Sequence, residues 1–289
     1  MTGAPLRAGL GCRGDIRSEV RWAAAIIVPI LSIAFVMLFV LPDSNSRWFS
    51  WPVRPRLSAM TLGATYLLGS FYFTTVLFAR RWREVQVGFL AVSTFAALLG
   101  IATVLHWDKF SHNLFSFWLW AFLYFTLPFV LPFLWWRGMQ SAERVPPSEV
   151  RVLLPSPLRV LLALVLLPGL LIAAMLFLTP GLMIDVWPWA LTPLTARVIC
   201  AQFALYGVLG VQFITHPDWE SMRLVLKWQL FTPLLYPIAI AVSWDDLMFE
   251  RPMTWAYLAN GMVVFVFGVP VLYAYMESRW RKSHRQSQN

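Results

Sequence analysis

The sequence predicts an all-α polytopic membrane bundle of about eight transmembrane helices, arranged as two parallel four-helix repeats. Three observations carry that prediction: a shortage of charge, eight long apolar runs, and aromatic landmarks that recur after 137 or 138 residues. Of 289 residues, 59% are hydrophobic and 13% are charged. A soluble domain has about 25% charged and 45–50% apolar residues. Lipid in place of water explains both departures. Sixteen Trp and 22 Phe fit it as well, because aromatic rings collect at membrane interfaces.

The net charge of +9 does not call for a nucleic-acid partner. The basic residues are scattered between apolar runs and form no stripe. Cys12 lies in a polar tail and Cys200 in an apolar run, which makes a disulfide framework unexpected. Gly9-Leu10-Gly11-Cys12 has no apolar run before it, so it is not read as a lipoprotein site. The first apolar run has no small-residue cleavage motif behind it and is not read as a removable signal.

Taken in order, the apolar runs fall at about 22–41, 58–79, 86–106, 114–136, 158–179, 197–215, 224–243 and 254–276. Crossing the hydrocarbon takes about 20 apolar residues as a helix. Strands of a membrane barrel would be shorter and alternating. The expected organisation is a tail at 1–20, a first repeat at 21–137, a linker at 138–157, a second repeat at 158–278 and a basic tail at 279–289. The fourth and seventh runs each hold two prolines, Pro128 with Pro132 and Pro233 with Pro237. These predict kinked helices whose freed carbonyls are satisfied by neighbouring helices.

With the N-terminus placed in the cytoplasm, 17 of the 23 Lys and Arg residues fall on inner segments. The other six, Arg47, Arg54, Arg56, Lys109, Arg197 and Arg251, fall on outer ones. The positive-inside rule then places both termini in the cytoplasm of a multi-pass protein of the cell (plasma or inner) membrane.

The repeat rests on matched residues. Met37-Leu38-Phe39 and Pro42 match Met175-Leu176-Phe177 and Pro180, and Trp51, Pro55 and Gly69 match Trp189, Pro193 and Gly207, all at a spacing of 138. Trp82, Trp107-Asp108 and Trp118 match Trp219, Trp244-Asp245 and Trp255 at 137. Four spans per unit is an even number, so both copies insert in the same sense. Residues 22–136 should superpose on 158–276 about an axis along the membrane normal, as in transporters built from parallel repeats. Doubling for packing alone is the other explanation.

The segment Leu105-His106-Trp107-Asp108-Lys109-Phe110, followed by Phe117-Trp118-Leu119-Trp120, resembles a group of uncharacterised bacterial multi-spanning membrane proteins. So does Trp51-Pro52-Val53-Arg54-Pro55 leading into a glycine-bearing helix. The resemblance covers most of both repeats. It implies the repeat architecture and brings no activity and no catalytic residue.

No Asp, Glu, Lys, Arg or His lies near the middle of any run, which argues against a proton pump or a proton-coupled carrier. Gln202, Tyr206, Gln212 and Asn260 are the mid-run polar groups. They either line a cavity or hydrogen-bond between helices. At the outer ends, His106, Trp107, Asp108, His112, Trp244 and Asp245 are the candidate binding residues, with Asp246 and Glu250 nearby. Histidine with carboxylate suits a transition metal. The spacing matches no zinc signature, and Ser243 stands where His106 would recur, so no metal and no cofactor is assigned. The cluster reads as a polar turn or as a patch for a head group or partner loop.

Asp108 and Asp245 are expected to cap the starts of the spans that follow them. The alternative brings them together with His106 in an outward vestibule. Trp48, Trp51, Trp187 and Trp189 are expected at the outer interface as anchors. No phosphate loop, Ser–His–Asp set, paired cysteines or nucleotide fingerprint occurs, and no catalytic residue is assigned. The function these features suggest is a carrier or binding protein for a small uncharged or lipid-like molecule. The alternative is a non-catalytic accessory or assembly subunit. Membrane lipid and other membrane subunits are the expected partners. A pocket at the repeat interface favours the first reading; a solid interface with an exposed apolar face favours the second.

Overall fold

A computed structural model of the chain describes residues 16–142 and 152–286. Cys12, most of the expected N-terminal tail, residues 143–151 of the expected linker and the last three residues lie outside the described residues. Among the described residues, eight helices are long and apolar enough to cross a membrane: α1 (Ser18–Val40), α2 (Arg56–Phe78), α3 (Val87–Leu105), α4 (Phe115–Ala142), α5 (Ser156–Leu178), α6 (Pro193–Thr215), α7 (Trp219–Val242) and α8 (Pro252–Arg285). The chain is an all-α, multi-pass membrane protein.

Local chemistry sets several helix ends. Thr192 accepts from the Thr195 N–H at 3.2 Å, and Pro193 opens the first turn of α6. Asp218 accepts from the Glu220 N–H to start α7. At the other extreme, α8 runs on as helix through the basic segment to Gln286.

The prolines behave differently in the two spans that carry them in pairs. α4 stays continuous through Pro128 and Pro132. Pro132 has no N–H to give the carbonyl of residue 128. Ser93 of α3 donates its hydroxyl to that carbonyl at 3.1 Å, so a neighbouring helix does satisfy it. α7 is broken rather than kinked: helix ends at Gln229 and restarts at Thr232, with Pro233 in the new first turn. A proline early in a helix loses nothing, because the N–H there is unpaired anyway.

Burial sorts the spans into centre and rim. The shielded share is 61% for both α3 and α6, against 12% for α5 and 6% for α8. The most extensive pairings are α1 with α2, α5 with α6, α3 with α4, and α3 with α6 across the molecule. Small residues permit the closest approaches. A Cβ on Gly63 would meet the Phe39 backbone nitrogen at 2.8 Å, and one on Gly100 the Tyr124 carbonyl oxygen at 2.7 Å.

Three kinds of bond occur twice, at positions 137 or 138 apart. Arg21 donates to the Leu77 carbonyl, and Arg159 to that of Ile214 at 2.8 Å. The Ser111 N–H meets the Ser50 carbonyl, and the Met248 N–H that of Pro188, each at 2.8 Å. The Trp118 indole donates to the His112 carbonyl at 3.0 Å, and Trp255 to that of Phe249 at 3.2 Å.

One expectation about the tryptophans is overturned. Trp48 is 59% exposed, as an anchor would be, but Trp51, Trp187 and Trp189 are buried. Their turns fold back onto the bundle. Trp51 meets Trp120 at 4.8 Å between ring centroids, and Trp187 meets Trp189 at 5.2 Å. Ring-on-ring packing inside the protein replaces contact with head groups.

Candidate functional site: an uncharged cavity between the halves

Three helices each present a stripe with helical spacing to one cavity. α2 supplies Thr61, Ala64, Thr65 and Leu68; α6 supplies Ile199, Gln202, Phe203 and Tyr206; α7 supplies Thr232, Leu235, Tyr236 and Ala239. Residues three, four and seven apart lie on one helix face, so each stripe is a single face. Trp187 and Trp189, from the turn before α6, and Tyr257 of α8 complete the wall. The cavity measures about 120 Å³.

Among the described residues, those lining the cavity are uncharged. Gln202 and Trp187 are more than nine-tenths buried, and the Gln202 Nε2 and Trp187 Nε1 groups have no hydrogen-bond partner. Thr232 donates its hydroxyl to Gln229 Oε1 at 2.9 Å. Tyr236 donates to the Tyr257 carbonyl at 2.9 Å. Phe203 is 41% exposed, so the cavity reaches the bundle surface near the middle of α6.

Two further spaces lie along the same junction. A cavity of about 60 Å³ shares Thr65, Leu68 and Tyr206 and extends to Trp228 and Gln229. At the end of the bundle that carries Trp244, a basin of about 510 Å³ is bounded by Arg54, Arg56, Thr192 and Asp245. Buried contacts between the halves occur beside it. Trp189 donates to the Ser58 hydroxyl at 2.7 Å, and the Ser243 hydroxyl lies 3.4 Å from the Met60 sulfur.

The outer cluster expected from sequence does not assemble. Arg197 donates to His106 Nε2 at 2.7 Å and to the Phe177 carbonyl at 3.1 Å, tying the ends of α3 and α5 to α6. Burial first, and the nearby Arg197 charge second, push the His106 pKa below its ordinary value; Asp108 opposes them. A neutral imidazole accepting from arginine is a structural tie. Trp107 is 42% exposed and rests on His112 and Phe117. Trp244 is 52% exposed and rests on Phe249.

Asp108 is exposed and pairs with Lys109 at 2.7 Å, a bond that holds its carboxyl below the usual range. This corrects the capping expectation. In this cluster the carboxylate that caps a span is Asp246, next to Asp245, and the N–H from which it accepts at 2.7 Å is that of Leu57 in α2. Pro55 gives the start of α2 no side-chain cap, so the turn after α7 supplies one from the other half. The vestibule alternative fails too: Asp245 borders the basin, and His106 and Asp108 do not.

Of the four mid-run residues, Gln202 and Tyr206 line the cavity. Gln212 is buried, with its Oε1 unpaired, and lies outside the cavity wall. Asn260 is exposed on α8. Sequence reasoning missed Thr61, Thr65, Thr232, Tyr236, Tyr257 and the inward role of Trp187. The Thr61/Thr65 pair was a signal, because polar residues four apart mark one face of a helix.

Among the described residues no group of three or more His, Cys, Asp and Glu side chains is placed to hold a metal ion. Cys200 is buried, with its sulfur 3.6 Å from that of Met183. Comparison with protein families, curated proteins and solved structures finds no match.

Proposed function

We propose that this chain is a carrier or binding protein for a small uncharged or lipid-like molecule held between α2 and α6–α8. The observation that carries the reading is the uncharged, aromatic- and hydroxyl-lined cavity, walled by both halves and reaching the surface at Phe203. Apolar walls with a few polar groups are the usual make-up of small-molecule sites. The paired bonds at 137 or 138 residues support a second part of the proposal: two parallel four-helix repeats, as in the bacterial group the chain resembles. The distribution of Lys and Arg supports an inner-membrane setting with both termini cytoplasmic. Membrane lipid is the source from which such a ligand enters. The accessory-subunit alternative called for a solid interface, and the cavity weighs against it.

The test is purification in mild detergent followed by mass spectrometry of the extracted small molecules, with wild type beside Ala64→Phe, which fills the cavity. One species is expected near one copy per chain in wild type and depleted in the variant. Identical extracts from the two proteins would overturn the proposal.

A further inference from the structure

We propose that the ligand of this cavity is a flat, uncharged ring bearing carbonyl oxygens, a quinone-type head group, received by the N–H groups of Gln202 and Trp187. The inference rests on the binding reading above and names the chemical class that the site recognises.

The cavity's unsatisfied groups define what it lacks. Buried polar atoms are nearly always hydrogen-bonded, and each exception calls for a reason. Two exceptions belong to residues that line this one cavity: Gln202 Nε2 and Trp187 Nε1, on residues 7% and 8% exposed. Both are N–H donors. Turning the Gln202 amide would exchange its nitrogen for oxygen, but an indole has no such freedom and donates only. The complementary ligand therefore presents acceptors. Among the described residues the wall holds no charge, so neither a carboxylate nor an ammonium would find a countercharge. Carbonyl oxygens on a neutral molecule remain.

Shape narrows the class further. An engineered apolar cavity of about 150 Å³ takes one benzene ring, so about 120 Å³ holds a single ring at most. The wall is rich in aromatic rings. Trp189 meets Tyr257 at 5.2 Å between ring centroids, Tyr236 meets Tyr257 at 5.5 Å, and Trp187 meets Phe203 at 5.9 Å. Flat aromatic groups stack on such surfaces. Phe203 marks the side exit at lipid depth, through which an apolar tail on the ring passes into the bilayer.

The test titrates the full-length protein in detergent with decyl-benzoquinone and with decylbenzene, the second having the ring and tail without the oxygens. The quinone is expected to bind saturably and about tenfold more tightly, the factor that corresponds to one hydrogen bond of about 1.4 kcal/mol. Trp187→Phe and Gln202→Leu should each weaken the quinone about 3- to 10-fold more than they weaken decylbenzene. Equal binding of the two probes, both lost in Ala64→Phe, would overturn carbonyl recognition and keep the binding reading. Quinone affinity unaltered in both variants would also overturn it. No saturable binding of either probe would overturn this inference, and the co-purification experiment would then judge the broader reading alone.

Discussion

At the scale of single residues, the polar groups inside the bundle include some that tie helices together, some that bond within their own helix and some left without a partner. Ser93 belongs to the first kind, since its only described bond goes to the carbonyl that Pro132 leaves bare. Ser93→Ala should therefore cost about 0.5–1.5 kcal/mol in denaturant unfolding. Thr94→Ala, whose hydroxyl bonds within its own helix to Leu90, should cost less. His106 is a second tie, and its sign can be worked out. Its folded pKa lies below the ordinary 6.5, so the unfolded chain binds the proton first as pH falls. The contribution is whole above about 6.5 and is lost as pH drops from there toward the folded value. Thermal unfolding followed from pH 7 to 5 should show a steeper loss for wild type than for His106→Asn, whose side-chain oxygen accepts from Arg197 at every pH.

At the scale of helices, close approach is decided by where a side chain is missing. Gly100 of α3 faces backbone of α4, and a Cβ there would lie 2.7 Å from a carbonyl oxygen. Backbone cannot rotate away as a side-chain end does. Gly100→Ala should destabilise by about 1–3 kcal/mol. Gly169 in α5 meets nothing within 4 Å, so Gly169→Ala should be neutral or stabilising by up to about 1 kcal/mol through helix propensity. The two substitutions are chemically identical, and their difference in melting temperature measures packing alone. The sequence marked both glycines equally. It also read the proline pairs of α4 and α7 alike, although one span is continuous and the other broken.

At the scale of the whole molecule, the spans are held across the middle by α3 against α6 and by the turn after α7 reaching α2. The proposed topology rests on the basic residues. Reporter fusions after Arg83, in the 138–157 linker and at the C-terminus should read cytoplasmic, and fusions near Asn45, Asp185 and Glu250 external. An external C-terminus would require an odd number of spans and would remove the parallel-repeat argument. Cross-half bonds should also matter: Trp189→Phe deletes the 2.7 Å bond to Ser58 and should lower the unfolding midpoint.

The eight spans, their limits to within a few residues at most ends, and the Trp118/Trp255 match, whose indoles make the same bond, were legible in the sequence. Each depends on local hydropathy or on residue identity, which the chain carries by itself. The candidate site was legible only in part. Gln202 and Tyr206 stood out as mid-span polar groups, but Gln212 and Asn260 looked the same and do not line the cavity. Trp187 looked like an interface anchor, and Asp108 looked like a cap. Which face of a helix meets a neighbour, and which carboxylate meets a bare N–H, depends on a partner that lies far away in sequence: Asp246 caps Leu57, 189 residues earlier. In lipid the hydropathy of the two faces of a span differs little, because hydrocarbon tails are as apolar as leucine. Only packing, small residues and hydrogen bonds tell the faces apart, and those belong to the tertiary structure.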